Sequence, residues 1–170
     1  MPTHAPLATA APRIAVLTAD ESVMLAAQES LASDFHTTLL DSRDALLALR
    51  QEVALEAVLL DLDLPETSRE VMLDLISQLH KRAQDLVILG LINSVSKAFR
   101  RSFLAAGVSR CFVAPIQFDE VQEFLRAALE ERWRELETRK VREDALSRYS
   151  FGDRRQRVHA PDLRRDYTGR

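Results

Sequence analysis

The stretch Ala57-Val58-Leu59-Leu60-Asp61-Leu62-Asp63-Leu64-Pro65 restricts the possible folds more than any other part of the chain. Its apolar start is too short to cross a membrane and rich in branched side chains, which suits a central strand buried on both faces. Two carboxylates and a proline follow at once, and proline forces its predecessor into an extended or turn conformation. In an open α/β sheet such a junction is the carboxyl end of a strand, where binding and catalytic groups collect. Asp61 is therefore the first candidate site residue.

The flanking sequence repeats one strand and one helix in turn. Residues 13–18 (RIAVLT) form a short interior strand, and Asp20 or Ser22 caps a helix reaching about Ser33, with Val23, Ala27 and Leu31 on one face. Residues 36–40 (HTTLL) suit an edge strand. Asp41-Ser42 opens a helix carrying Ala45, Leu46, Leu49 and Val53 at helical spacing. After Pro65, a helix follows with Val71, Met72, Leu75, Ile76 and Leu79 as its apolar stripe. Residues 86–92 (LVILGLI) are a second strand buried on both faces. A helix then ends near Ala106, with Gly107 fitted to a left-handed cap. Residues 110–114 (RCFVA) are the last strand, Pro115 turns the chain, and Asp119 with Gln122 or Glu123 caps the final helix. Five β-α units with right-handed crossovers predict an α/β fold, a doubly wound five-stranded parallel sheet with helices on both faces.

The final helix should outrun that domain. Residues 121–147 contain neither Gly nor Pro, a span longer than the usual globular helix. Val121, Phe124, Leu125, Ala128 and Leu129 cover the sheet, whereas Trp133, Leu136, Val141 and Ala145 continue an apolar trace past it. A homodimer contact is the expected cover, although Arg132, Arg139 and Lys140 break the heptads of a long coiled coil. The expected organisation is a loose leader over residues 1–12, a core domain over 13–131, a helical extension over 132–148 and a basic, disordered tail over 149–170.

Charge and composition narrow the function. Residues 132–170 hold 12 Arg or Lys against 7 Asp or Glu, a balance of +5, leaving −8 for the preceding part of a chain whose net charge is −3. The acidic body argues against nucleic-acid binding through the folded domain. One cysteine, Cys111, excludes an internal disulfide and reads as a buried thiol in a reducing compartment. No transmembrane stretch or signal peptide is evident, so a cytoplasmic protein without membrane contact is expected. His36, His80 and His159 are too scattered for a metal cluster or triad. No Gly-rich loop follows the first strand, which disfavours nucleotide binding.

Over residues 13–131 the chain resembles the receiver domains of two-component response regulators. The resemblance rests on the acidic residues after the first strand, on Asp61-Leu62-Asp63-Leu64-Pro65, on Ala105-Ala106-Gly107-Val108 and on Val113-Ala114-Pro115-Ile116. It implies that Asp61 is the phosphoacceptor for a histidine kinase or a small phosphodonor. A magnesium ion and a lysine would assist that transfer. The backbone carbonyl at Asp63 would help to hold the ion, and Asp20 and Glu21 are the other carboxylates available for it.

Several positions depart from the family pattern. The paired acids expected straight after the first strand are Thr18 and Ala19, with Asp20 and Glu21 one step late. Ile92 replaces a hydroxyl residue, with Ser94 nearby but out of register. Ala114 replaces the lysine, and Cys111 occupies an aromatic position. A phosphoryl group would thus lose most of its electrostatic stabilisation. The resulting expectation is an atypical receiver, a signalling module rather than an enzyme, acting by protein interaction and dimerisation with no cofactor. The alternative is a working phosphoacceptor with Asp61 as nucleophile and magnesium bound. A third reading adds a DNA-binding, ATPase or cyclic-nucleotide enzyme domain beyond Arg170, which nothing in residues 149–170 identifies.

Overall fold

In a computed structural model, residues 11–93 and 96–158 are described, with side chains up to residue 150. Ten elements alternate: β1 (Arg13–Leu17), α1 (Glu21–Leu31), β2 (His36–Leu40), α2 (Arg43–Glu52), β3 (Ala57–Asp61), α3 (Arg69–Arg82), β4 (Val87–Ile92), α4 (Lys97–Ala106), β5 (Arg110–Val113) and α5 (Phe118–Val158). The strands form one parallel sheet in the order β2-β1-β3-β4-β5. The doubly wound sheet expected from the apolar runs is present, with β2 at one edge.

Side chains that alternate along each strand divide the core in two. Ala15, Leu17, Val58 and Leu60 join Leu46 of α2, Met72, Leu75, Ile76 and Leu79 of α3, and Phe103 of α4. Ile14, Val16, Ala57 and Leu59 join Ala27 and Leu31 of α1 and Val121, Leu125 and Leu129 of α5. Helices α2, α3 and α4 thus cover one face, and α1 and α5 the other. Most of the apolar stripe expected on α3 is buried, Val71 being only partly so.

Polar side chains fix the helix starts. Ser42, Ser68 and Ser96 accept from Ala45 N, Val71 N and Phe99 N, each satisfying an amide that the first helical turn leaves unpaired. Gly107 closes α4 in the left-handed conformation, at φ 117°. On the other face, the Asp34 carboxylate accepts from Gln122 at 2.8 Å and forms an ion pair with Arg126, tying the α1–β2 turn to α5.

The final helix differs from its expected bounds. It starts at Phe118, so that Asp119 lies inside the first turn rather than capping it, and it runs on to Val158 instead of ending near Ser147. Gly152 does not stop it, because one glycine costs a helix only about 1 kcal/mol relative to alanine. The chain divides into two compact units, residues 1–129 and 130–170. In the second, Leu136, Val141, Leu146 and Tyr149 are exposed, Tyr149 at 80%. Residues 1–10 of the expected leader and 159–170 of the expected tail lie outside the described residues.

Candidate functional site at the carboxyl ends of β1 and β3

The strand order reverses direction at β1 and β3, and a crevice opens at such a switch point beyond the carboxyl ends of the strands. Asp61 is the last residue of β3, and Thr18 the first residue beyond β1. The pairing of Leu17 with Leu60 brings the two strand ends level. Thr18 Oγ1 donates to Asp61 Oδ2 at 2.9 Å. The second carboxylate oxygen, Oδ1, accepts from Asp63 N at 3.0 Å. Both oxygens of the candidate acceptor therefore already have donors.

Thr18 is fully buried, and its hydroxyl also accepts from Asp20 N at 3.2 Å. By register alone, Thr18 stands only as a replaced carboxylate. Its role as the partner of Asp61 was not anticipated, and its one signal was a hydroxyl at the register position of an acid.

Asp20 has a different local task. Its Oδ1 accepts from Ser22 N at 2.8 Å, from Ser22 Oγ at 2.6 Å and from Val23 N, capping α1. Those bonds, the Ser22 hydroxyl first, hold its carboxyl below the ordinary range. Glu21 is the exposed first residue of α1. Asp63 turns its Oδ2 to Asn93 N at 2.6 Å, across to the exit of β4.

Among the described residues, no group of three or more His, Cys, Asp or Glu side chains is assembled to hold a metal ion. Asp20, Glu21, Asp61 and Asp63 are thus not gathered as a ligand set. Magnesium requires near-octahedral oxygen coordination, usually anchored by carboxylates. Thr18 offers a hydroxyl where a carboxylate would anchor such an ion, and the Asp20 carboxylate is engaged at the start of α1.

Ile92 is buried in the core facing α2, α3 and α4. Ala114 is exposed, and its amide donates to Ile92 O at 2.8 Å. Cys111 is half-buried, and burial pushes its thiol up. Ser94 lies outside the described residues. A cavity of about 380 Å³ nearby is lined by Ala19, Asp41, Arg43, Leu64 and Glu66 among others, and Asp61 is not in its wall.

Burial raises the Asp61 carboxyl above the usual range, outweighing the bonds from Thr18 and Asp63 that favour its ionised form. The folded protein therefore holds the Asp61 proton more tightly than the unfolded chain does. Asp61 favours folding most below its unfolded pKa, and that benefit is lost as pH rises through the folded value. Asn at 61 is neutral throughout and keeps one acceptor for Asp63 N. Asp61→Asn should accordingly gain stability relative to wild type as pH rises above the ordinary carboxylate range, read as the difference in urea midpoints across a pH series. A constant difference across that series would contradict the effect of burial.

Comparison with solved structures agrees with this fold. The signal receiver domain of an HD domain-containing protein from Pseudomonas fluorescens Pf-5 matches with a TM-score of 0.68 at 18% identity, over 79% of this chain and 98% of that one. NtrX from Brucella abortus matches with a TM-score of 0.68 at 20% identity, over 78% of this chain and 29% of that one. The beryllofluoride-activated NtrC4 receiver domain dimer matches with a TM-score of 0.64 at 16% identity, over 71% and 98%. No family model and no curated protein matches the sequence. The chain has the (βα)5 fold of response regulator receiver domains, with a long C-terminal helix. No described helix is long and apolar enough to cross a membrane.

Proposed function

We propose that this chain is a receiver-type signalling module of the cytoplasm that acts through protein contacts and no longer accepts a phosphoryl group at Asp61. The observation that carries the reading is the fully buried Thr18 hydroxyl, 2.9 Å from Asp61 Oδ2, where an acid would be needed to hold a metal ion beside the acceptor. Each Asp61 oxygen keeps a lone pair beyond its one hydrogen bond, so what the transfer lacks is positive charge to receive the transferred oxygens. Ala114 and Ile92 supply neither a cation nor a hydroxyl. On this reading the module is not an enzyme and has no resident cofactor. Its signal comes from a protein partner instead of a histidine kinase.

Beryllofluoride, a mimic of a bound phosphoryl group, tests the reading directly. Added with magnesium, it should leave the amide resonances of residues 59–63 and 91–93 unmoved. Saturable shifts there would overturn it.

The output side of the proposal is a homodimer joined through α5. Val141 and Tyr149 are 67% and 80% exposed, and with Ala145 they follow at four-residue intervals along one row of the helix. A solved receiver domain of the same fold is a dimer. Burial of an apolar side chain contributes roughly 1.5–3 kcal/mol. The double substitution Val141→Glu, Tyr149→Glu should therefore weaken self-association by about a hundredfold or more in sedimentation equilibrium. A wild-type chain that sediments as a monomer at about 100 μM would contradict this part.

A further inference from the structure

Asp63 carries a contact that phosphoryl transfer would not require. Its Oδ2 accepts from Asn93 N at 2.6 Å, joining positions 30 residues apart in the chain. Its own amide meanwhile donates to Asp61 Oδ1, and Asp61 Oδ2 accepts from Thr18. The Thr18 hydroxyl accepts from Asp20 N at the start of α1. One continuous series of hydrogen bonds thus runs from α1 across the ends of β1 and β3 to the exit of β4, made only from this chain's own groups.

We propose that Asp63 is a positioning residue, the closing member of a ligand-independent lock that fixes the exit of β4 in one arrangement. This rests on the reading of the chain as an interaction module and specifies its regulation.

Several neighbouring bonds are independent of Asp63. Leu62 N donates to Leu91 O, and Ala114 N donates to Ile92 O, so the sheet stays paired whatever occupies position 63. Loss of the carboxylate therefore releases the Asn93 amide and not the strand. An amide bonded to a carboxylate is protected by a charge-assisted bond, which is stronger than a neutral one.

Residue-resolved amide exchange on the full chain tests the lock. In Asp63→Ala, Asn93 N–H should exchange at least about tenfold faster than in wild type, while Leu59 N–H in β3 keeps its rate. In Asp63→Asn, which keeps an acceptor oxygen, Asn93 should stay within about threefold of wild type. Unchanged Asn93 exchange in Asp63→Ala would overturn the proposal. Equal acceleration at Asn93 and Leu59 would also overturn it, reducing the effect to general destabilisation. The two readings fail separately: beryllofluoride shifts confined to residues 59–63, with the expected exchange pattern, would remove the interaction-module reading and leave the lock standing, whereas shifts at residues 91–93 would overturn the lock as well.

Discussion

Thr18→Asp should lower the melting temperature by about 10 °C at neutral pH, a loss of roughly 3 kcal/mol at about 3 °C per kcal/mol for a chain of this size. The Thr18 side chain is fully buried, with its hydroxyl 2.9 Å from Asp61 Oδ2. A carboxylate there sets two like charges at hydrogen-bond distance, and both cannot stay ionised without a large penalty. The pair would hold one proton well above the ordinary carboxylate range. Its penalty would be small near pH 4 and complete by about pH 7. The same change supplies an acid at the register position where receivers carry one. About 10 mM magnesium should then recover roughly 1 kcal/mol or more in the variant, while the wild type shifts by less than about 1 °C. Thermal scans at two pH values, with and without magnesium, read both effects. A variant as stable as wild type and indifferent to pH would show that residue 18 does not face Asp61.

Gly107→Ala should be about as damaging, for an unrelated reason. Gly107 ends α4 at φ 117°, where an L side chain is strained by roughly 1–2 kcal/mol. A Cβ added there would clash with Nε2 of His80 and stand 2.7 Å from its Cδ2. The His80 ring must swing away, breaking its 3.0 Å bond to Gly107 O, which is worth about 1 kcal/mol. The expected total is about 2–4 kcal/mol in urea unfolding. In a His80→Ala background only the backbone strain remains, so the penalty should fall to about 1–2 kcal/mol. Equal penalties in the two backgrounds would rule out the clash.

The sequence made the fold legible because its elements are marked locally. Residues 57–60 and 86–92 are apolar on both faces, which suits only interior strands between helical layers. Asp41-Ser42 and Gly107 announced helix ends by chemistry that acts within a few residues. The far end of α5 was less legible, because the residues after Tyr149 have no apolar periodicity and read as tail, whereas the helix runs on to Val158.

The site was legible in what it lacks and not in what it contains. Register counting from Arg13 and Gly107 identified Thr18, Ile92 and Ala114 as departures from the receiver pattern. It could not reveal that Thr18 bonds to Asp61, a contact across 43 positions. Asp20 was open to two uses in the sequence, cap or metal ligand, and its bonds to Ser22 and Val23 are the local ones that an N-terminal aspartate makes readily. The Asp63 side chain had no assigned role, because its acceptor bond to Asn93 depends on how β3 and β4 pair.

The most direct measurement of the central claim is intact mass after incubation with acetyl phosphate and magnesium, with Asp61→Asn alongside. No acid-labile phosphoryl adduct is expected on folded wild-type protein, because a hydroxyl stands at residue 18 in place of a metal-binding acid and no cation stands at residue 114. An adduct on the wild type that is absent from Asp61→Asn would contradict it and make Asp61 a working phosphoacceptor.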